Sequence, residues 1–527
     1  MGLRNAWKGL FTSNNDLNSR RNRLKRMYAG ARLDRTNLSW VTPLSSPDQS
    51  YKNSINTLRK RVHDLVRNNN YAAQAIRYAT NQIVGQGVTM QAQIKSQRGG
   101  TPNTRLNESI ESEWSRWGRK DSCDIRGVLC FSEMERLAVR SMIESGECFI
   151  VIHRKAYGRS KIPFSLEILE AEQLDEDYKG LKKSNKNVWR LGIELSPEGR
   201  AVSYAFLKKH PGDTNFATVP EERRHIIVPA KDVIHLFLPL RPGQHRGVPF
   251  LSSAINHLHQ LDGYIEATVV GQRASSALMG FITSPEGELD AGGEVFDYER
   301  VSGFEPGTFK YLAPGESISV PDLDKSNGEF EPFVRAMLRS MASGLGCSFE
   351  AISSDYSQSN YSSSRLAMLQ DRDHWRTLQK MLKEVFYQPI YEYWLEMAVL
   401  SGTLTLPTYS TTPEVYEKVR WVCRGYSYVD PQKEVAAMKD AVRCGFKTLT
   451  DVVSESGGDI EELLIARQTE LAKLDEMNII TDSDPSATNK SGGSQYKPIN
   501  TVDPFGDTDP PSGQDAENVA EGSDGSY

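Results

Sequence analysis

The sequence predicts an α+β protein in which helices flank a mainly antiparallel sheet. Hydrophobic residues recur at helical spacing over residues 53–145 and again after residue 250, whereas short β segments separated by turn residues occupy 148–238. The chain has 527 residues, of which 38% are hydrophobic and 25% are charged. This length and composition predict a hydrophobic core and several modules.

Three helices precede the predicted sheet. The first covers residues 53–83 and the second covers residues 106–117. The third covers residues 133–145, and Ser132 with Glu135 three positions later forms a capping-box pattern at its start.

Six β segments follow, and turn residues separate each from the next. They cover residues 148–152, 164–169, 189–195, 203–207, 226–229 and 233–238. This arrangement of short segments favours a mainly antiparallel sheet.

Helical spacing returns in the C-terminal half of the chain. The predicted helices cover residues 250–279, 333–345, 365–400, 430–443, a short stretch after Thr450, and 460–474. Pro389 should kink the helix at 365–400. Gly and Pro punctuate residues 282–332, and residues 353–364 form a polar loop rich in serine.

Small residues line the second half of the helix at 250–279. They are Ala267, Gly271, Ala274 and Ala277. Because small side chains let two backbones approach closely, we expect a neighbouring helix to pack here, either within the chain or between subunits.

The two ends of the chain carry opposite charge. Residues 1–35 contain nine Lys or Arg against two Asp or Glu, whereas residues 481–527 contain nine Asp or Glu against two Lys. The acidic end has few large apolar residues to offset the entropy of ordering, so it is predicted to be disordered. The formal net charge of −5 excludes a generally basic nucleic-acid coat but allows a local DNA contact.

Features of membrane and secreted proteins are missing from the sequence. No hydrophobic run approaches the roughly 18 residues of a membrane span, and the first residues lack the apolar core of a signal peptide. The six cysteines form no C-x-x-C pair, which argues against a disulfide framework and a zinc site. We therefore expect a soluble chain made in a reducing compartment.

Common catalytic motifs are also missing from the sequence. A P-loop needs a Gly-Lys dipeptide, and the chain contains none, nor any G-x-G-x-x-G or G-x-S-x-G. ATP hydrolysis by this chain is therefore not expected.

Two groups of titratable residues are candidates for chemistry, and an inert interpretation is favoured for both. His257 and His259 lie two apart on a helix and point about 200° apart, so they converge poorly on one metal ion. Asp371, Asp373 and His374 offer a carboxylate and an imidazole, but interleaved arginines favour a solvated helix face. We expect no catalytic residue, no metal and no cofactor.

Short motifs between about residues 53 and 475 form an ordered series. Residues 64–69 read Asp-Leu-Val-Arg-Asn-Asn, and residues 344–350 read Gly-Leu-Gly-Cys-Ser-Phe-Glu. Asp-Tyr-Ser at 355–357 and Asn-Tyr-Ser-Ser-Ser-Arg at 360–365 follow, with weaker support from Arg-Gly at 246–247. Together these motifs resemble the lambda-type tailed-phage portal protein family.

The resemblance implies a portal-type fold with an α+β wing, a helical stem, a small β-rich clip and a helical crown, assembled as a ring. The order of elements then divides the chain into a basic N-terminal arm (1–35), wing (36–249), stem helix (250–280), clip (281–332), stem helix (333–352), tunnel loop (353–364), long wing helix with a return segment (365–429), crown helices (430–480) and an acidic tail (481–527).

The resemblance also implies a function and partners. The ring, dodecameric in the virion, would occupy the portal vertex of the capsid, and double-stranded DNA would pass through it during packaging and ejection. Implied partners are the terminase large subunit, the major capsid protein and the head–tail connector protein, with no membrane contact. The motor ATPase of such systems is a terminase subunit, so the chain itself would not be an enzyme. It would be found in the virion, and in the host cytoplasm during assembly.

Two segments are predicted to line the DNA channel. Arg335 and Arg339 lie four apart on one helix face, away from its apolar side, and point toward solvent or the lumen. An ordinary solvated or intersubunit salt-bridging face is the alternative for them. The tunnel-loop candidates would make weak, sequence-blind contacts with DNA. A flexible linker is the alternative for this segment. The candidates are Asp355, Tyr356, Ser357, Gln358, Ser359, Asn360 and Tyr361.

Two other classes of function remain open at this point. One is another structural head or connector protein without a DNA channel role, because composition alone fits that equally well. The other is a nuclease or protease with an unrecognised site, which the catalytic motifs do not support.

Overall fold

The computed structural model describes helices and antiparallel sheets, as the α+β prediction requires. It describes residues 42, 44–95, 103–180, 186–214, 216, 220, 224–276, 281–283, 317–319, 330–358, 360–426, 431–456, 458–477 and 479. The chain divides into two compact units, 1–458 and 459–527. Most of the basic arm, the clip and the acidic tail predicted above lies outside the described residues.

Five helices precede the main sheets. They are α1 (Pro47–Lys52), α2 (Ile55–Asn68), α3 (Asn70–Ile83), α4 (Thr104–Trp117) and α5 (Phe131–Ser145). The prediction of a single helix at 53–83 is wrong, because the extended backbone of Asn69 divides this stretch into α2 and α3. The Oδ1 atom of Asn69 accepts a hydrogen bond from the amide of Ala72 at 2.9 Å, so Asn69 caps a new helix.

The start of α5 also differs from the prediction. The capping residue is Cys130, whose amide donates to the Oε2 atom of Glu133 at 2.9 Å. The capping-box pattern assigned the role of Glu133 to Glu135, but Glu135 is buried. It accepts hydrogen bonds from the Tyr387 hydroxyl at 2.7 Å and the Val88 amide at 3.0 Å. The predicted capping box at Ser132 is therefore wrong, because Glu135 is buried and the helix begins two residues earlier.

Two antiparallel sheets form the middle of the chain. One contains β2 (Glu147–His153) between β3 (Ser165–Leu169) and β8 (Val233–Phe237). The other has the order β4-β5-β6-β7, and its strands are β4 (Val188–Arg190), β5 (Ile193–Leu195), β6 (Ala201–Leu207) and β7 (His225–Pro229).

The β segment predicted at 189–195 is a hairpin rather than one strand. Leu191 and Gly192 both have positive φ, of 50° and 84°, and they form the two-residue turn between β4 and β5. A Cβ atom on Gly192 would lie 2.6 Å from the carbonyl oxygen of Asp175, so only glycine fits there.

Smaller strand pairs lie outside these sheets. Strand β1 (Thr89–Ala92) pairs antiparallel with β11 (Val419–Val422). Within the predicted clip, β9 (Phe281–Thr283) pairs antiparallel with β10 (Ser317–Ser319).

The later helices follow the predicted order with shifted ends. They are α6 (Ile255–Ser276), α7 (Phe330–Leu345), α8 (Phe349–Ser353), α9 (Tyr361–Leu382), α10 (Gln388–Leu400), α11 (Pro431–Arg443), α12 (Leu449–Glu455) and α13 (Ile460–Glu476), the last being in the second unit. A π-helical turn at Lys383–Tyr387 joins α9 to α10 and ends two positions before Pro389. The missing amide of proline explains a break in the regular pattern at this point. Among the described helices none is long and apolar enough to cross a membrane.

Strand β2 separates two hydrophobic cores. Cys148, Ile150 and Ile152 face the larger core, which the helices cover. Phe149 and Val151 face the smaller core between the two sheets. Because side chains alternate along a strand, both faces of β2 are apolar, and the strand is buried from Glu147 to Ile152.

A fully buried charge cluster joins the helices to the sheets. The Glu147 carboxylate on β2 accepts hydrogen bonds from Arg59 Nη2 and Arg246 Nε, both at 2.7 Å. The His235 ring lies 3.1 Å away, and the Gly247 amide donates at 2.7 Å. These contacts give the Arg-Gly pair at 246–247 a structural role in holding its loop against β2.

The electrostatics of this cluster follow from its geometry. Burial raises the pKa of the Glu147 carboxyl, but the Arg246 and Arg59 guanidinium groups outweigh burial and hold that pKa well below its usual range. Arg59 also donates to the carbonyl oxygen of Ser145 at 2.9 Å, and Arg246 donates to that of Leu191 at 2.8 Å. The cluster therefore ties α2, β2 and the β4–β5 turn together.

Candidate functional site

The predicted channel-lining segment is formed by α7, α8, a short loop and the start of α9. The loop covers residues 354–360 and is shorter than the predicted 353–364, because Ser353 ends α8 and Tyr361 begins α9. Asn360 causes the early start of α9, since its Oδ1 atom accepts a hydrogen bond from the Ser363 amide at 2.8 Å. Ser354 has a φ of 55°, which turns the chain out of α8.

Arg335 on α7 binds the loop directly. Its Nη2 atom donates to Asp355 Oδ2 at 2.6 Å and to the Ser357 hydroxyl at 2.8 Å. A third contact, to the Glu331 carboxylate, is 3.3 Å long. Only 12% of the Arg335 side chain is exposed, so in the isolated chain it points into the loop rather than into open solvent or a lumen.

Asp355 organises the loop around this arginine. Its Oδ1 atom accepts hydrogen bonds from the amide of Ser357 at 3.0 Å and from its hydroxyl at 2.7 Å. These bonds, with the Arg335 guanidinium, lower the pKa of the Asp355 carboxyl. The acidic charge of the loop is therefore paired with the Arg335 guanidinium.

The other predicted loop residues present polar groups to solvent. Tyr356, Ser357, Gln358 and Asn360 are exposed, and Tyr356 is 63% exposed. Ser359 and the side chain of Tyr361 lie outside the described residues. The loop surface thus offers hydroxyl, phenol and amide groups with its charges paired.

Arg339 lies one turn further along α7 and remains exposed. Its guanidinium carbon lies 5.4 Å from the centroid of the Phe349 ring, a cation–π contact. The predicted apolar side of this helix is confirmed where Leu338 and Met341 are buried in the larger core. Arg335 and Arg339 are thus held in two different ways, one by the loop and one at the surface.

The small-residue face of α6 has no neighbour in the described part of the chain. Ala267 and Gly271 are exposed, and a Cβ atom built on Gly271 meets no atom within 4 Å. Val270 beside them is also exposed. The side chain of Ala274 and all of Ala277 lie outside the described residues, so packing on this face stays a prediction that concerns other subunits.

The predicted solvated helix face is wrong for Asp371. Asp371 is buried, and its Oδ2 atom accepts hydrogen bonds from the Ser348 amide at 3.2 Å and hydroxyl at 2.7 Å. Its neighbour Asp373 is exposed and lies 3.5 Å from Arg376, as a solvated face predicts. Asp371 therefore holds the start of α8.

Histidine placement gives no support for a metal site on α6. His257 and His259 are both exposed there. Elsewhere in the described chain, candidate ligand atoms of Glu170, Glu172 and His210 lie within 4.8 Å of one another, a grouping that sequence spacing does not reveal. The Nε2 atom of His210 lies 3.2 Å from Oε2 of Glu170.

Comparison with known proteins identifies the family. A family model described as phage portal protein, lambda family, matches residues 33–379. The chain therefore belongs to the lambda family of phage portal proteins, which are structural proteins of the virion.

Individual relatives cover most of the chain. The probable portal protein of Halomonas phage phiHAP-1 is 28% identical over 445 residues, which span 82% of this chain and 83% of the relative. Portal protein B of Escherichia phage lambda is 23% identical over 461 residues, which span 81% of this chain and 85% of the relative. A similar solved structure, described as the neck of a native GTA particle computed with C12 symmetry, has 12% identity and a TM-score of 0.41, and the match spans 74% of this chain and 91% of that chain.

Proposed function

We propose that this chain assembles into a ring at one capsid vertex and that double-stranded DNA passes through the ring during packaging and ejection. The observation that carries this proposal is the match to the lambda-family portal model over residues 33–379. The dodecameric state is part of the same proposal. The single chain contributes a charge-paired polar loop between two helices, which suits a channel wall.

The charge of a channel wall decides how easily DNA slides along it. Each Lys or Arg that contacts a phosphate adds a salt-dependent attraction, and a ring multiplies that attraction by the number of subunits. A wall that lets DNA slide should therefore hold few unpaired cations. The loop at 354–360 satisfies this condition because Asp355 pairs with Arg335 and the other described groups are neutral.

The division into portal parts belongs to the proposal. Helices α6 and α7 would form the stem, the β9–β10 pair would lie in the clip, and residues 354–360 would be the tunnel loop. Helices α9 and α10 would form the long wing helix, and residues 430–480 the crown. Terminase would dock on the clip, with the major capsid protein and the head–tail connector protein as further partners.

Electron microscopy of the purified full-length chain tests the ring. We expect particles with a central hole wide enough for a DNA duplex, which is about 20 Å across. A monodisperse monomer or a closed disc without a hole would contradict the proposal. Counting copies in the virion separates this reading from a coat protein, which would be present in hundreds of copies.

A second candidate is another structural head or connector protein without a DNA channel role. It predicts that rings form but that loop variants leave DNA packaging unchanged. A packaging assay with Tyr356→Ala and Gln358→Ala rings distinguishes the two functions, since both side chains are exposed and neither should affect folding. Incubating the protein with DNA and magnesium checks for nuclease activity, and we expect none.

A further inference from the structure

A polar cleft of about 920 Å³ opens on the surface of the first unit, away from the loop at 354–360. Helix α3 forms one wall, and the turn at Gly85 and Gly87 forms its floor. The start of α5 and residues 422–425 after β11 complete the lining. A Cβ atom on Gly85 would lie 2.7 Å from the side chain of Arg424, so the absence of a side chain at Gly85 lets that arginine reach into the cleft.

Three arginines line this cleft, and all three are held by neutral groups. Arg77 Nη2 donates to the Gln74 side-chain oxygen at 2.6 Å. Arg136 donates to the Gly85 carbonyl oxygen and to the Asn81 side-chain oxygen, both at 3.2 Å. Arg424 donates to the Asn81 carbonyl oxygen. Within the described residues, none of the three guanidinium groups forms a salt bridge with a carboxylate.

The carboxyl group among the lining residues does not offset these charges. Glu135 is buried, and burial raises the pKa of its carboxyl to about 8 despite the hydrogen bonds from Tyr387 and Val88. At neutral pH this side chain is therefore mainly uncharged.

We propose that this cleft binds an extended acidic peptide segment of a partner protein. Guanidinium groups held by neutral acceptors keep free N–H donors, and carboxylates match their planar geometry. The side chains of Gln82 and Gln86 in the lining can donate to or accept from a peptide backbone. The volume of the cleft is that of a site for a short segment rather than for a folded domain.

Nucleic acid fits the cleft less well than a peptide. A duplex is about 20 Å across and cannot enter a concave site of this volume. Single strands are held by aromatic platforms on which bases stack. Tyr78 is the aromatic residue in the lining, and it packs edge-on against Trp375 while its hydroxyl donates to Asp371.

Peptide binding to the assembled full-length protein tests the proposal. The probe is a fluorescent synthetic peptide of alternating glutamate and serine, and the reference peptide replaces each glutamate with glutamine. We expect the acidic peptide to bind and the neutral peptide to bind at least tenfold more weakly. Each guanidinium–carboxylate contact should contribute about tenfold in affinity, so combining Arg77→Gln, Arg136→Gln and Arg424→Gln should abolish binding.

A matched control removes the same charge elsewhere. Arg61, Arg105 and Arg119 are exposed outside the cleft, and changing all three to glutamine should leave binding within about twofold. If the triple cleft variant fails to assemble, the single exposed change Arg136→Gln alone should weaken binding about tenfold. Equal binding by cleft and control variants, or no binding by the wild-type protein, would overturn the proposal. An oligothymidylate that competes with the peptide and binds more tightly would show that the cleft is a nucleic-acid site, and that result would also overturn the proposal.

Discussion

Replacing Glu147 with glutamine should strongly destabilise the fold, because this carboxylate compensates two buried cations. The side chains of Glu147, Arg59 and Arg246 are all fully inaccessible to solvent. After the change, the nearest remaining carboxylate is Glu176, at 3.6 Å from Arg59 and 4.0 Å from Arg246. Burial raises the pKa of Glu176, so its carboxylate is a poor substitute.

The magnitude follows from the cost of an uncompensated buried charge. Breaking a buried ion pair from one side costs about 3–5 kcal/mol. With a urea m-value of about 3 kcal/mol per M, that cost lowers the unfolding midpoint by about 1–1.7 M. The measurement is urea unfolding of the purified chain at neutral pH, followed by tryptophan fluorescence.

The control is Glu144→Gln, which breaks an exposed pair with Arg140 and should change stability by less than about 0.5 kcal/mol. The pKa of Glu147 is lowered in the fold. The contribution of its carboxylate to the free energy of unfolding is therefore complete above the unfolded pKa of about 4.3 and is lost as pH falls through the folded pKa. The difference between wild type and Glu147→Gln should therefore shrink in strong acid. Equal midpoints for the two variants at neutral pH would refute the reasoning.

Four further predictions concern other parts of the chain. Burial raises the pKa of the Glu135 carboxyl to about 8, so the free-energy cost of keeping this side chain buried grows as pH rises from about 4.5 to 8. Glu135→Gln should therefore stabilise the chain by about 3 kcal/mol at pH 7, which urea unfolding at pH 5 and 7 would measure. Changing Arg335 and Arg339 to alanine should leave rings intact and alter packaging more at low salt than at high salt; smaller assemblies by light scattering would place these arginines between subunits instead. Gly271→Leu should disrupt rings through overpacking of about 1–3 kcal/mol per site while leaving the folding of each chain unchanged, and unaltered ring size by light scattering would count against that interface. Deleting residues 481–527 should leave the melting temperature unchanged, and a loss of several degrees would show that this segment contributes to the fold.

The sequence was a good guide wherever local spacing decides structure. Leu338 and Met341 are buried because the helical period brings them to the same side of α7. Strand β2 was predicted from a continuous apolar run, which is what a strand between two cores requires. The lambda-family assignment also rests on sequence, since short motifs in a constant order identify a family without any coordinates.

Local spacing was a poor guide where two chemically similar choices compete. Asn69 could have continued a helix or capped a new one, and packing of two separate helices selected the cap. The capping-box pattern placed the start of α5 after Ser132, but Glu135 is buried with Tyr387 and Val88 as its partners, and α5 begins after Cys130. A sequence pattern does not carry the free energy that separates such alternatives.

Contacts between distant residues were determined only by the tertiary structure. Asp355 and Arg335 are 20 positions apart, and Glu147 lies 88 positions from Arg59 and 99 from Arg246. Arg77 and Arg424 line one cleft although more than half of the chain separates them. The sequence by itself determined the class of protein, the order of helices and strands and most apolar faces, because these depend on near neighbours. The pairing of charges depends on which surfaces meet when the chain closes on itself, and only the folded chain decides that.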